Sequence, residues 1–332
     1  MQDRYAGDVG DFGKIGLLKY LQKQGFTIGV NWYLVDTPDA EKNADGTLKQ
    51  DDGKYLISDV IKRCNTKLAK VLTGIACSDN RSVSAIQNAD LIPNAVYYDE
   101  RLTVETRIEW HRKALERFKD TDLVFLDPDN GLLVKSVGKQ SAKSVKYAFY
   151  EEVKDYIDAG KSVLVYNHRA RKPVTNYFSD IEDRLQEKVK IYKYVVQEIT
   201  FPKGTTRDYF AIPACEDHHI MIHDAFVSMI NSKWGQLGVC VLTPEWSSEY
   251  LSDYLTLEES IFLDYESQEF PENCSFEEYK RDVARYLMLC DYRYSEKGAK
   301  SLVEEQIEYL KESYDKKESV SDVAIDIGYS CG

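Results

Sequence analysis

No apolar run in this 332-residue chain approaches the roughly 20 residues that cross a bilayer. The first residues, Met1-Gln-Asp-Arg-Tyr-Ala-Gly-Asp8, lack the charged start, apolar stretch and cleavage site of a signal peptide. These absences predict a cytoplasmic chain with no membrane partner. Cysteine is scarce and scattered, at 64, 77, 215, 240, 274, 290 and 331, with no CxxC pair. That excludes zinc-ribbon or dithiol chemistry and fits reduced thiols. An excess of positive charge is missing too: 43 Lys and Arg against 56 Asp and Glu leave a net charge of -13. A general nucleic-acid coat is thereby excluded, although a local basic groove is not.

What is present is an ordinary globular composition, with 43% hydrophobic and 30% charged residues and a mean hydropathy of -0.46. The length predicts roughly two domains. Tyrosine is frequent, at 24 residues, and reads first as core and interface material.

Along the chain, Ile15, Leu18 and Leu21 share one face behind a possible Asp11 cap, which predicts a short helix ending near Gly25. The run 28–36 predicts a buried strand, followed by a polar, acid-rich loop from Pro38 to Gly53. A strand at 95–98 leads to a helix with Val104, Ile108, His111, Leu115 and Phe118 on its apolar stripe. Asp122-Leu-Val-Phe-Leu-Asp127 then predicts a strand that breaks at Pro128-Asp-Asn-Gly131. A helix at 147–157, a strand at 162–166 and a segment after Pro173 continue the alternation, which implies βαβ units and a parallel sheet. Runs at 191–201 and 207–212, joined by Pro202-Lys-Gly204, predict a terminal antiparallel hairpin. From Ser275 the pattern is helical, opening on the capping box Ser275-x-x-Glu278. The expected architecture is therefore a Rossmann-like, mostly parallel α/β domain over 1–245, an acidic connector over 246–272 and a three-helix module over 273–332.

In an open α/β sheet, ligands bind at the carboxyl ends of the strands beside the switch point. The residues there are Asp36 and Thr37, then Asp127 to Gly131, then Tyr166-Asn-His-Arg169 with Arg171. Turn chemistry is the simpler account of any one such cluster; for three on one edge, a functional site stands level with it. Ala6-Gly7-Asp8, Gly10-Asp11-Phe12-Gly13-Lys14, Leu34-Val35-Asp36-Thr37 and Val124-Phe125-Leu126-Asp127-Pro128 resemble the order of elements in class I methyltransferases. The resemblance covers about residues 1 to 245 and is nearest to the ribosomal RNA adenine-N6 methyltransferases and the three-Cys-motif partner proteins.

That resemblance implies S-adenosylmethionine as cofactor, with Asp36 and Thr37 beside it, and a nucleic acid or nucleotide as substrate. Asp11 and Lys14 belong to the same cofactor-side set, although a solvated lysine is the simpler reading of Lys14. Asp127 and Asn130 would face the acceptor amine, with His168 completing the catalytic set. Asp129, Arg169, Arg171 and Arg207 are the substrate-facing candidates. Two features depart from the family: Pro38 to Gly46 stands where a Gly-rich turn approaches the cofactor, and Pro128-Asp129-Asn130 replaces Pro-Pro-Tyr.

Two further readings stand beside this one. Asp127-x-Asp129 is a carboxylate pair suited to Mg²⁺ or Mn²⁺ in phosphoester or nucleotide-sugar chemistry, with His168 and Arg169 as proton donor or phosphate clamp. A non-catalytic binding or regulatory protein would retain the fold and use 273–332 for a protein partner or self-association. His111 reads as a core histidine, and His219 with His223 as an incidental HxxxH.

Overall fold

The computed structural model describes residues 1–36, 57–169, 174–190, 196–203, 206–241, 274–289, 302–320, 323, 324 and 327. The central strands and several flanking helices fall where the apolar periodicity expects them, and three helices within 59–88 are additions that the apolar pattern does not mark. They are α1 (Val9–Lys23), β1 (Ile28–Asn31), α2 (Asp59–Lys62), α3 (Thr66–Ala76), α4 (Val83–Asn88), β2 (Val96–Tyr98), α5 (Arg107–Arg117) and β3 (Leu123–Leu126). Next come β4 (Gly131–Leu132), β5 (Tyr147–Ala148), α6 (Tyr150–Asp158), β6 (Ser162–His168), α7 (Val174–Val189), β7 (Gln197–Phe201) and β8 (Arg207–Ile212). The last are α8 (Glu216–Ile230), β9 (Cys240–Val241), α9 (Phe276–Leu289) and α10 (Ile307–Asp315).

The chain is mixed α/β around a 7-stranded, mostly parallel sheet ordered β2-β1-β3-β6-β8-β7-β9. β2, β1, β3 and β6 are parallel, β8 is antiparallel to β6, and β9 is antiparallel to β7. β4 and β5 pair separately. All four residues of β3 are fully buried, as expected of a central parallel strand covered on both faces. From β1 the chain goes to β2 on one side and then to β3 on the other, so the carboxyl ends of β1 and β3 flank the switch point.

Several local expectations are corrected. α1 is capped by Asp8, whose Oδ1 accepts from the Asp11 N–H at 3.0 Å; Asp11 lies inside the first turn. β1 stops at Asn31, five residues before Asp36, because the Asn31 Oδ1 accepts from the Tyr33 N–H at 3.2 Å and Tyr33 adopts φ 46°. On α5 the buried face is Arg107, Trp110, His111 and Ala114, continued by Phe118, while Ile108 is 90% exposed. The helix is turned by Arg107, which is buried against Glu152 at 2.6 Å, and by Trp110, whose Nε1 donates to the Glu100 carbonyl at 2.8 Å. α6 begins at Tyr150, since Tyr147 and Ala148 are drawn into pairing with β4 and Glu152 accepts from the Phe149 N–H at 2.9 Å.

By contact the chain divides into two compact units, 1–198 with 203–226, and 199–202 with 227–332. In the second, β9 pairs with Ile199 and Thr200, and Phe201 packs on Trp234. Its helices share one apolar cluster built from Tyr279, Val283, Leu287, Leu302, Leu310 and Val323 with their neighbours. The capping box forms: the Ser275 N–H donates to Glu278 at 2.8 Å, and the Glu278 N–H to the Ser275 Oγ at 3.3 Å. No helix among the described residues is long and apolar enough to cross a membrane, and the five described cysteines are free thiols.

Candidate functional site

A cavity of about 320 Å³ lies at the carboxyl ends of β3 and β6, lined also by the first turns of α1 and by Arg207 at the start of β8. The antiparallel register brings Arg207 there, because it pairs with His168. Of the residues expected at a site, Asp11, Lys14, Asp127, Asp129, Asn130, His168 and Arg207 line this cavity together.

The loop after β3 is fixed by β6. Gly131 adopts φ +110°, and a Cβ there would stand 1.8 Å from the Asn167 Oδ1, so only glycine fits. That oxygen accepts from the Leu132 N–H at 2.8 Å, while the Asn167 amide donates to the Tyr177 hydroxyl. The Asn130 N–H donates to the Lys146 carbonyl at 2.9 Å, and the Asn130 carbonyl accepts from the His168 N–H at 3.2 Å. The backbone thus ties Asn130 directly to His168.

Charge is paired inside the cavity. Lys14 is buried, with its Nζ 2.7 and 2.9 Å from the two Asp127 oxygens and 2.9 Å from Asp11. The solvated lysine suggested by the sequence is thereby corrected. Burial would push the Lys14 ammonium down, and the facing Asp11 and Asp127 carboxylates outweigh it, holding it well above the ordinary lysine range. Burial raises the Asp127 carboxyl, against the opposing pull of Lys14. Burial also opposes charge on Asp129, but the α-ammonium of Met1 at 2.9 Å, with the Gln2 amide at 2.6 Å, holds it below the usual range. Asp127 and Asp129, the pair suited to a divalent cation, are thus each neutralised by a cation of the chain. Among the described residues no group of three or more His, Cys, Asp or Glu is arranged to hold a metal.

Two titrating groups face the cavity. Burial and the Asp11 charge raise Asp8 to about 6, against Arg207 and Lys14; its nearest guanidinium contact is Arg207 at 3.9 Å. Burial, reinforced by Arg207, lowers His168, which is therefore neutral at pH 7 and able to accept a proton.

The other expected residues lie elsewhere. Asp36 is exposed and pairs with Arg101 at 2.8 Å. Arg169 forms a two-pronged pair with Asp208 at 2.6 and 3.0 Å. Thr37, Arg171 and the Pro38 to Gly46 turn fall outside the described residues. His111 bonds Asp155 at 3.0 Å, His219 contacts Gln197, and His223 contacts Asp224. Met1, Tyr5, Asp8, Gly10 and Lys146 line the cavity without having been expected at the site, and Tyr166, part of the strand-end cluster, joins them. Asp8 and Gly10 were readable from the run Gly7-Asp-Val-Gly-Asp11; Lys146 carries no local signal.

S-adenosylmethionine, implied by the resemblance, would lie over the end of β1. There Trp32 to Val35 are buried, and the Met1 ammonium donates to the carbonyls of Tyr33 at 3.0 Å and Asp127 at 3.1 Å. The described residues at this position, buried and with the Tyr33 and Asp127 carbonyls held by the Met1 ammonium, do not fit the group. Comparison with protein-family models, curated proteins and solved structures finds no match.

Proposed function

We propose that this chain is a group-transfer enzyme of the methyltransferase-like kind, taking a nucleotide, free or within a nucleic acid, as acceptor in the cavity between β3, β6 and α1. The observation that carries the reading is the convergence of Asp127, Asn130 and His168 on one cavity at neighbouring strand ends, beside the reversal in strand order. The cavity's size suits a small ligand. The order β6-β8-β7 supports a terminal hairpin closing a Rossmann-like sheet, as the resemblance implies.

In this reading Asn130 and His168 orient the acceptor, and neutral His168 takes the proton that an acceptor amine gives up. Asp127 acts on the site through Lys14, fixing α1 against the end of β3.

The test is calorimetric titration of the full chain with the four common nucleoside monophosphates, then with S-adenosylmethionine, Mg²⁺ and Mn²⁺ in turn. A nucleotide should bind, and Asn130→Ala should weaken it without lowering the melting temperature. Absence of nucleotide binding overturns the proposal. Divalent-ion binding that Asp127→Asn removes would replace it with the metal reading.

A further inference from the structure

Tyr166, near the carboxyl end of β6, is 9% exposed and lines the cavity. Its ring contacts Tyr209, with centroids 6.0 Å apart, and lies under Lys14 at 5.6 Å. Its hydroxyl makes no hydrogen bond among the described residues and opens on the cavity, whereas the unbonded hydroxyl of the neighbouring Tyr209 is sealed from solvent. A phenol that faces a cavity and is not bonded by the protein is left to donate to, or accept from, what enters it. The same cavity is lined by Gly10 in the first turn of the 15-residue α1. A Cβ at Gly10 would meet the Arg207 Nε at 2.8 Å, so the absent side chain lets the guanidinium rest against the helix start. A helix N-terminus favours anions, and a guanidinium matches the geometry of phosphate oxygens.

We propose that this end of the cavity is a phosphate subsite, in which the Tyr166 hydroxyl, the Arg207 guanidinium and the first turn of α1 take the phosphate oxygens of the bound nucleotide. The inference rests on the nucleotide reading above and adds that the phosphate, not only the base, is recognised. Burial raises the Tyr166 phenol to about 12, so it remains a donor at neutral pH. Asp8 is the opposing charge: its carboxylate faces Arg207 at 3.9 Å and competes with an incoming anion. Asp11 is held by Lys14 and by the Gly7 N–H at 2.6 Å.

The experiment is calorimetric titration of the full chain with a nucleoside 5′-monophosphate, the parent nucleoside and inorganic phosphate, on wild type, Tyr166→Phe and Asp8→Asn. Tyr166→Phe removes one oxygen and keeps the ring contacts; Asp8→Asn keeps a good helix cap. The monophosphate should bind at least about tenfold more tightly than the nucleoside, the scale of hydrogen bonds to a charged group. Tyr166→Phe should weaken the monophosphate by about tenfold and leave the nucleoside unchanged. Asp8→Asn should strengthen the monophosphate several-fold, and inorganic phosphate should compete with it. Equal affinity for nucleoside and monophosphate, or an unchanged Tyr166→Phe, overturns the subsite while leaving the nucleotide reading in place. Failure of both to bind overturns both.

Discussion

Replacing Lys14 by methionine tests whether the cavity floor is held by charge. The ammonium is 5% exposed, and its partners Asp11 and Asp127 are 0% and 2% exposed, so removing it strands two carboxylates away from water. Breaking a buried pair on one side costs about 3–5 kcal/mol. Methionine keeps most of the packing of the lysine stem near Trp32 and Tyr166, so the loss should be electrostatic. Asp127→Leu added to Lys14→Met should recover part of it, with a coupling of about 2 kcal/mol in the double-mutant cycle. The assay is urea unfolding of the full chain followed by circular dichroism at pH 7 and pH 5. Burial already raises the Asp127 carboxyl, and losing Lys14 removes the charge that opposes the rise, so the native state holds more protons and its stability falls as pH rises through that raised value. The deficit should therefore be smaller at pH 5 than at pH 7. A loss under about 1 kcal/mol, well below that expected of a broken buried pair, or an equal loss at both pH values would refute the reasoning.

Gly131→Ala must place a Cβ against Asn167 at φ +110°, and should destabilise the chain by about 3 kcal/mol or more, read as a fall in denaturation midpoint. The Asp8 carboxyl lies near 6 in the fold against an ordinary 3.8. Its folded pKa is raised, so the stability linked to its protonation is present below pH 4 and is lost as pH rises through 6. The total is up to about 3 kcal/mol, and Asp8→Asn should flatten that part of the stability profile measured by urea unfolding. Ser275→Ala removes the α9 cap and should cost about 1 kcal/mol, visible as faster amide exchange in the first turn of that helix.

The alternation of apolar and amphipathic runs was legible, and with it the strand ends on which Asp127, Asn130 and His168 meet. The site's electrostatics were not. Lys14 reads as solvated because its partner Asp127 lies 113 residues away, and no local pattern links them. Ile108 misplaces the buried face of α5 for the same reason: the contact that turns the helix, Arg107 to Glu152, spans 45 residues. Asp8 and Asp11 are both good caps by composition, and what separates them is a single turn of chain after Gly7, whose φ is +81°. Asp36 was placed at a strand end that the Asn31 side chain moves five residues upstream.

The central claim is that a nucleotide occupies the cavity at the ends of β3 and β6. A crystal structure of the full chain grown with a nucleoside 5′-monophosphate tests it most directly. The account predicts density for the nucleotide within hydrogen-bonding distance of Asn130 and His168, with its phosphate on Tyr166 and Arg207. A nucleotide bound elsewhere on the chain, with this cavity closed to it, would contradict the account.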